Sequence, residues 1–349
     1  MKKALIISLS PNIGHLSHVV AYYKLFEEIG FKSVAYVLPS SVSFLPTGLD
    51  VITEVDNYIE YYVAIMYSPC KLNLKEVIRT KLKSKCKLIY VYHEPLGSKK
   101  SFRDAGVSWL KTQKIFLTDK ANWLLVKMAD HVILSSKTAL SHYENGVYSR
   151  LNRHYTCMSL IFNDEYDTKL KNASRKFFSY IGTVAADHSF TEYLDFVKWA
   201  VKENKLPQTL FLIATKSDFE VPQELLDSPR VTIQKGRPLS DEEINEYYAS
   251  TFVVWNAYAR TTQSGVLAKS FMFGTPAIVL RKNLSEFTVD GKEVVAIDDN
   301  RDSKQIHDAV SGIISEFEKY SRACRRRFEN SFYYRIYNTR MKDLLDGIS

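Results

Sequence analysis

Thr261-Thr262-Gln263-Ser264-Gly265-Val266-Leu267-Ala268-Lys269-Ser270-Phe271-Met272-Phe273-Gly274-Thr275-Pro276-Ala277-Ile278-Val279 carries the reading of the fold. The stretch follows the β-branched and aromatic run Phe252–Trp255 and predicts a helix from about Gln263 to Phe273. Gly274 suits the residue that ends a helix, and Pro276 opens the next strand, Ala277–Leu280. Strand, helix and strand in this order make a parallel crossover unit. At the helix start, Thr262, Gln263, Ser264 and Gly265 gather hydroxyls and backbone N–H groups without helical partners. The helix dipole favours negative charge there, so the tip suits a diphosphate. An ordinary N-cap by Thr262 or Ser264 accounts for the hydroxyls equally well.

The same alternation runs outward in both directions. Towards the N-terminus lie strand candidates Phe177–Ile181, Leu210–Ala214 and Val231–Gln234, with helices over Phe190–Val201 and Asp241–Ala249. Towards the C-terminus, helices are predicted over roughly Ser303–Phe317 and Glu318–Leu345. The first half repeats the pattern, with strands Ala4–Leu9, Ser33–Leu38, Val63–Tyr67, Leu88–Tyr92 and His131–Ser135. Its helices fall at about His15–Ile29, Leu74–Leu82 and Asn122–Met128. The polar segment Asn163–Lys176 reads as a linker, which places two α/β domains at residues 1–165 and 166–334. A length of 349 residues also favours two domains over one core.

Composition narrows the function. A formal charge of +8 calls for an anionic partner: a phosphate-rich ligand, an acidic membrane face or nucleic acid. The basic residues are dispersed and no zinc finger or basic arm accompanies them, so no nucleic-acid partner is expected. Cys70, Cys86, Cys157 and Cys324 are far apart and read as scattered buried thiols of a cytoplasmic protein. No run is long enough to span a bilayer, and the short apolar start lacks a signal-peptide cleavage site. There is no Asp-x-Asp, metal-ligand spacing or Gly-x-x-x-x-Gly-Lys loop, and no metal cofactor is expected. Between Val107 and Met128, aromatic and aliphatic residues alternate with Lys111, Lys114, Lys120 and Lys127. That pattern suits either an anionic membrane surface or a helix covering its own domain.

Two turns of the first half carry polar candidates. In Ser10-Pro11-Asn12-Ile13-Gly14-His15-Leu16-Ser17-His18, His15 stands near the first helical turn and could donate to a phosphate or sugar hydroxyl, whereas His18 reads as packing. Tyr92-His93-Glu94-Pro95 ends a strand; Glu94 there suits a base for an acceptor hydroxyl or a partner orienting His93. A polar strand exit is the plainer alternative.

Several stretches in register resemble the GT-B glycosyltransferases, in particular the retaining family 4 group. Gly274-Thr275-Pro276-Ala277-Ile278 is similar to that group's Gly-x-Pro-Val-Ile, and Gly236-Arg237-Pro238-Leu239-Ser240 with Glu242, Glu243, Ile244 and Tyr248 to its Gly-x-Leu-Ser-x-Glu-Glu-Leu-x-x-x-Tyr stretch. Ala129-Asp130-His131-Val132-Ile133-Leu134-Ser135-Ser136 resembles a strand of its N-terminal domain, and Glu286-Phe287-Thr288-Val289-Asp290-Gly291 the segment after its donor site.

The resemblance implies two Rossmann-like parallel-sheet domains facing a cleft, with a final helix, 335–349, packing back on the first. It implies metal-independent, retaining transfer of a sugar from a nucleotide-sugar to a glycan or lipid-linked saccharide, in bacterial surface polysaccharide synthesis. It brings Gly14, Gly182, Thr183, Arg237 and Thr262–Gly265 to the donor, and His93 to the transferred sugar. Two departures stand out. The family's ribose-holding glutamate falls on Lys269, and the Arg and Lys expected after the Gly182 turn are missing, with Thr183, Val184 and Ala185 in their place. Lysine cannot accept from ribose hydroxyls, so Lys269 or Lys216 is expected to supply positive charge to the diphosphate instead. A nucleotide-sugar epimerase of the same fold, or a non-catalytic binding subunit, are the alternatives.

Overall fold

The computed structural model describes residues 1–67, 71–146, 151 and 154–348. The chain forms two compact units. The first comprises residues 1–99, 109–163 and 332–349, and the second residues 100–108 and 164–331. Each holds one parallel sheet, seven-stranded in the first unit and six-stranded in the second.

In the first unit the chain runs β1 (Lys3–Ser8), α1 (Leu16–Glu28), β2 (Lys32–Val37), β3 (Val51–Ile52), β4 (Tyr61–Tyr67), α2 (Lys71–Lys83) and β5 (Lys87–Tyr92). After a short α3 (Lys99–Asp104), which sits with the second unit, come α4 (Trp109–Met128), β6 (His131–Leu134), α5 (Lys137–Glu144) and β7 (Tyr155–Cys157). The sheet order is β3-β2-β1-β4-β5-β6-β7, all parallel. Leu5, Ile7, Ala64, Met66, Leu88, Tyr90, Val132 and Leu134 lie on one core of this sheet. Such strands, covered on both faces, read as continuous apolar runs.

The second unit contains α6 (Thr168–Lys171), β8 (Phe177–Ile181), α7 (Phe190–Lys202), β9 (Leu210–Ala214), α8 (Gln223–Leu226), β10 (Val231–Gln234), α9 (Asp241–Ala249) and β11 (Thr251–Asn256). It continues with α10 (Gly265–Met272), β12 (Ala277–Leu280), β13 (Val294–Ile297), α11 (Ser303–Ser315) and α12 (Phe317–Ser331), before α13 (Asn338–Gly347) rejoins the first unit. Its sheet order is β10-β9-β8-β11-β12-β13, and in its core Phe178 meets Tyr193, Phe196 and Phe211 edge to face, with Trp255 tilted against Tyr193.

Three expectations are corrected. The pattern over Glu318–Leu345 is two helices, broken at Phe332–Tyr337. There Phe162 N–H donates to Phe332 carbonyl at 2.8 Å and Tyr334 N–H to Phe162 carbonyl at 3.1 Å, pairings a continuous helix would forbid. Asn163–Lys176 is no loose linker, because its charges are spoken for. Asp164 pairs with Arg325 at 2.8 Å and Glu165 with Lys269 at 3.3 Å, while Arg175 donates to the carbonyl of Thr251 and the hydroxyl of Thr275. Cys86 and Cys324 are buried thiols, but Cys157 is half-exposed near the sheet edge, and Cys70 lies outside the described residues.

Gly274 joins α10 to β12 at φ +64°, where an added Cβ would lie 2.5 Å from Ser321 Oγ and 3.3 Å from the Ser321 carbonyl. Gly274→Ala is therefore expected to cost about 2–4 kcal/mol, from a left-handed backbone plus overpacking against a carbonyl that cannot retreat. A urea midpoint equal to that of the unsubstituted chain would refute this account of the turn.

Candidate functional site

In the second sheet the chain steps outward from β8 to β9 and β10, then returns to β11 beside β8 and proceeds the other way. The reversal falls between β8 and β11, and open α/β sheets bind ligands beyond the carboxyl ends of the strands at such a point. The loop after β8 begins at Gly182, and the loop after β11 leads to α10, so the helix tip stands at this reversal. Gly182 has φ +143°, and a Cβ there would lie 3.6 Å from Val266 Cγ2 on the first turn of α10.

The helix opens two residues later than its sequence suggests. Ser264 is the N-cap: its hydroxyl accepts from Leu267 N–H at 3.2 Å and from Asn256 Nδ2 at 2.9 Å. Thr262, Gln263 and Ser264 are buried, so the helix start does not present a solvent-exposed row of polar side chains. The opening belongs to Gly265, where a Cβ would meet nothing within 4 Å. The exposed donors of this tip are thus backbone N–H groups.

Lys269 does not face that opening. It is buried one turn into α10, with Nζ 3.3 Å from Glu165 and 3.6 Å from Asp241. Asn245 donates to the same Glu165 at 3.0 Å. Burial alone would depress the ammonium, but Glu165 and then Asp241 outweigh it and hold its pKa above the ordinary value. A cation neutralised by two carboxylates brings no net charge to a diphosphate, which corrects the expectation for this residue. Arg237 is likewise committed: its guanidinium forks onto Glu243 at 2.5 and 2.9 Å. Arg237, then the Ser240 N–H, lowers Glu243 to about 2, and Ser240 and Glu243 close a capping box on α9. Arg237 therefore anchors a helix start. Thr183 is exposed, and its carbonyl accepts from the Tyr180 hydroxyl at 2.7 Å and shares a 2.9 Å contact with His188 Nδ1. Lys216, just beyond β9, is exposed near the same sheet end.

Two residues missed by the sequence reading, Tyr258 and Arg260, stand in these loops. Tyr258 stacks on His188 with centroids 4.4 Å apart. Its hydroxyl is buried beside Asn256 and Ser264 without a well-formed hydrogen bond to any described residue. Burial pushes its pKa up, so it stays a neutral donor and acceptor. Arg260, half-buried in the β11–α10 loop, places its guanidinium 3.9 Å from the centroid of Phe102 on α3. The Asp187 carbonyl accepts from the N–H groups of Ala259, at 2.9 Å, and Arg260, at 3.4 Å, tying this loop to the one after β8. Arg260 could have been found by asking which cation lies between β11 and its helix; nothing local links it to Phe102.

The first sheet reverses between β1 and β4. Gly14 and His15 form a 3₁₀ turn after β1, and His93 and Glu94 follow β5. His15 Nε2 lies 3.1 Å from Asn12 Nδ2, and its ring meets Tyr67 edge-on at 5.4 Å. His93 stacks on the other side of the same cluster, 6.3 Å from Tyr67, while its carbonyl accepts from Ser135 Oγ at 2.7 Å. His18 is buried, with Nδ1 2.9 Å from the Ile161 carbonyl, and is packing as expected. Thus the structure brings Gly14, His15, His93 and Glu94 to one end of the first unit. A Cβ on Gly14 would meet only Asn12 Oδ1, at 3.6 Å, so the fold of this unit alone does not require glycine.

Neither a family profile nor a curated protein matches the chain. Solved structures do. Sucrose-phosphate synthase from Thermosynechococcus elongatus superposes with a TM-score of 0.71 at 14% identity, over 100% of this chain and 99% of that one. HepE of Anabaena, in complex with UDP-glucose, gives 0.70 at 12% identity, over 99% and 100%. A UDP-N-acetylglucosamine 2-epimerase from Listeria monocytogenes, so described provisionally, gives 0.56 at 12%, over 93% and 91%. With two parallel Rossmann-like sheets and these likenesses along its full length, the chain has the GT-B fold.

Proposed function

We propose that the protein is a glycosyltransferase that takes a sugar from a nucleotide-sugar bound at the carboxyl end of the second sheet. The observation that carries this reading is the position of the α10 start at the sheet reversal, where a Cβ on Gly265 would meet nothing within 4 Å and Gly182 opens the loop after β8 alongside Val266. Backbone N–H groups at Gly265 and Val266 meet the diphosphate, and the helix dipole stabilises its charge as the sugar–phosphate bond breaks. Arg260, steadied on Phe102, supplies the cation that Lys269 does not, with Lys216 as a second contributor. No metal is required for a leaving group met in this way.

The acceptor is a saccharide or lipid-linked saccharide bound by the first unit, whose hydroxyl forms the new glycosidic bond and gives its proton to Glu94 or His93. Retention of configuration, membership of the family 4 group and a role in surface polysaccharide synthesis at the cytoplasmic face of the membrane complete the reading. That HepE holds UDP-glucose on the same fold supports a uridine nucleotide as the first donor to try.

A thermal-shift panel of nucleoside diphosphates and their sugar conjugates tests the donor site. A ligand at 100 times its Kd should add about 2.7 kcal/mol of stability, a shift of several degrees. If none of these compounds moves the transition, the reading fails. Donor consumed only with acceptor present indicates transfer; donor isomerised without acceptor indicates the epimerase chemistry of one structural neighbour; binding with neither indicates a non-catalytic subunit.

A further inference from the structure

Two neighbouring helices of the first unit, α2 and α4, carry apolar side chains that the protein leaves in solvent. On α4, Leu110 is 75% exposed, Leu117 65% and Leu124 40%, and Trp109 at the helix start is 59% exposed. The three leucines recur every seventh residue and so form one stripe along the helix. Lys114 and Lys120 fall about 60° to either side of that stripe at 3.6 residues per turn. Lys111, Lys114, Lys120 and Lys127 are all exposed, and the one acidic residue of α4, Asp119, accepts hydrogen bonds from Tyr92 at 2.7 Å and Asn122 at 2.8 Å. On α2, Leu72, Ile78 and Leu82 are exposed beside Lys75 and Lys83. Its one carboxylate, Glu76, is buried on Tyr58 and Arg79.

We infer that this face of α2 and α4 docks on an anionic lipid surface. Extending the acceptor side of the reading above, it would hold the first unit where a lipid-linked acceptor resides. A leucine stripe with lysines on both flanks matches the interface of a bilayer, where leucines enter the acyl boundary and lysines reach the headgroup phosphates. A nucleic acid would meet the lysines but gain nothing from exposed leucines. The lysines of both helices act together, each contributing roughly fivefold in partitioning to an anionic surface. No described helix is long and apolar enough to cross a membrane, so the contact lies on the surface.

Flotation of the full chain with phosphatidylcholine vesicles, with and without phosphatidylglycerol, tests this without any nucleotide; a failed donor site and a failed membrane face therefore give different results. The chain should float with anionic vesicles at low salt and be released at high salt. The double variant Leu110→Ser with Leu117→Ser should lower partitioning at least tenfold with an unchanged melting temperature, because both side chains are already in water. Lys114→Ser with Lys120→Ser should lower binding to anionic vesicles alone. Absence of flotation at low salt, indifference to both variants, or a preference for RNA over vesicles would each overturn the inference.

Discussion

Arg260→Ala is expected to weaken binding of a nucleoside diphosphate about 10- to 100-fold while leaving binding of the bare nucleoside unchanged. A hydrogen bond to a charged group is worth about 1.5–3 kcal/mol, and every 1.4 kcal/mol is a factor of ten in affinity. The loop geometry makes Arg260 the candidate. It leaves β11 at the sheet reversal, and the Asp187 carbonyl fixes its backbone to the loop after β8. Its guanidinium lies over the Phe102 ring, 3.9 Å from the centroid, so less side-chain freedom is lost when a phosphate binds. Two further variants sharpen the test. Arg260→Lys keeps the charge without the fork and should recover part of the loss. Phe102→Leu keeps an apolar support without the ring and should fall between Arg260→Ala and the parent. Titration calorimetry with diphosphate and nucleoside in parallel reads all three. Equal diphosphate affinities in Arg260→Ala and the parent would move the cation elsewhere, with Lys216 next in line, and would leave the fold assignment untouched.

The second large effect is on stability. Lys269→Ala should cost about 1–3 kcal/mol, because Glu165 and Asp241 would be left without the cation between them while water still reaches both carboxylates. Burial already holds the Asp241 carboxyl above its ordinary pKa, with Lys269 opposing that rise, so removing the ammonium makes ionisation still less favourable. In a unit of this size the loss corresponds to roughly 3–10 °C in the melting temperature. Lys269→Glu, which would restore the residue type the resemblance leads one to expect, should be worse, since it sets three carboxylates together. Nucleotide affinity measured well below the transition should change little. The opposite pattern, an unchanged melting temperature with lost diphosphate binding, would show that the ammonium serves the ligand after all.

The contrast between these two cations shows where local sequence stops being informative. Lys269 was conspicuous because it occupies a family position, yet its partners are Glu165, at the entry to the second unit, and Asp241, at the start of another helix. Arg260 was inconspicuous because its partner, Phe102, lies in the other half of the chain and folds with the second unit through residues 100–108. Pattern periodicity reports which face of an element is apolar, and says nothing of which distant side chain will neutralise a charge. The same limit hid Tyr258, whose aromatic ring reads as core until its stacking on His188 is seen.

By itself the sequence determined the elements whose chemistry is local. Leu210–Ala214 and Ala277–Leu280 are strands to the residue because parallel strands covered on both faces need unbroken apolar runs, Phe177–Ile181 keeps its span around a single buried Ser179, and the half-exposed edge strand Val231–Gln234 is fixed by its β-branched alternation. Asp241–Ala249 is a helix to the residue because Ser240 and Glu243 fix its start. The short strands Val51–Ile52 and Tyr155–Cys157 escaped notice, since two or three residues carry no period and exist only because a neighbouring strand offers its free edge. Tertiary structure alone decided which side chains meet at the end of each sheet. It buried Thr262 and Ser264, set the start of the helix at Gly265 and committed Lys269 and Arg237 to carboxylates of the protein. Burial and pairing are properties of the packed chain, and a charge is available to a ligand only after the fold has finished claiming its own.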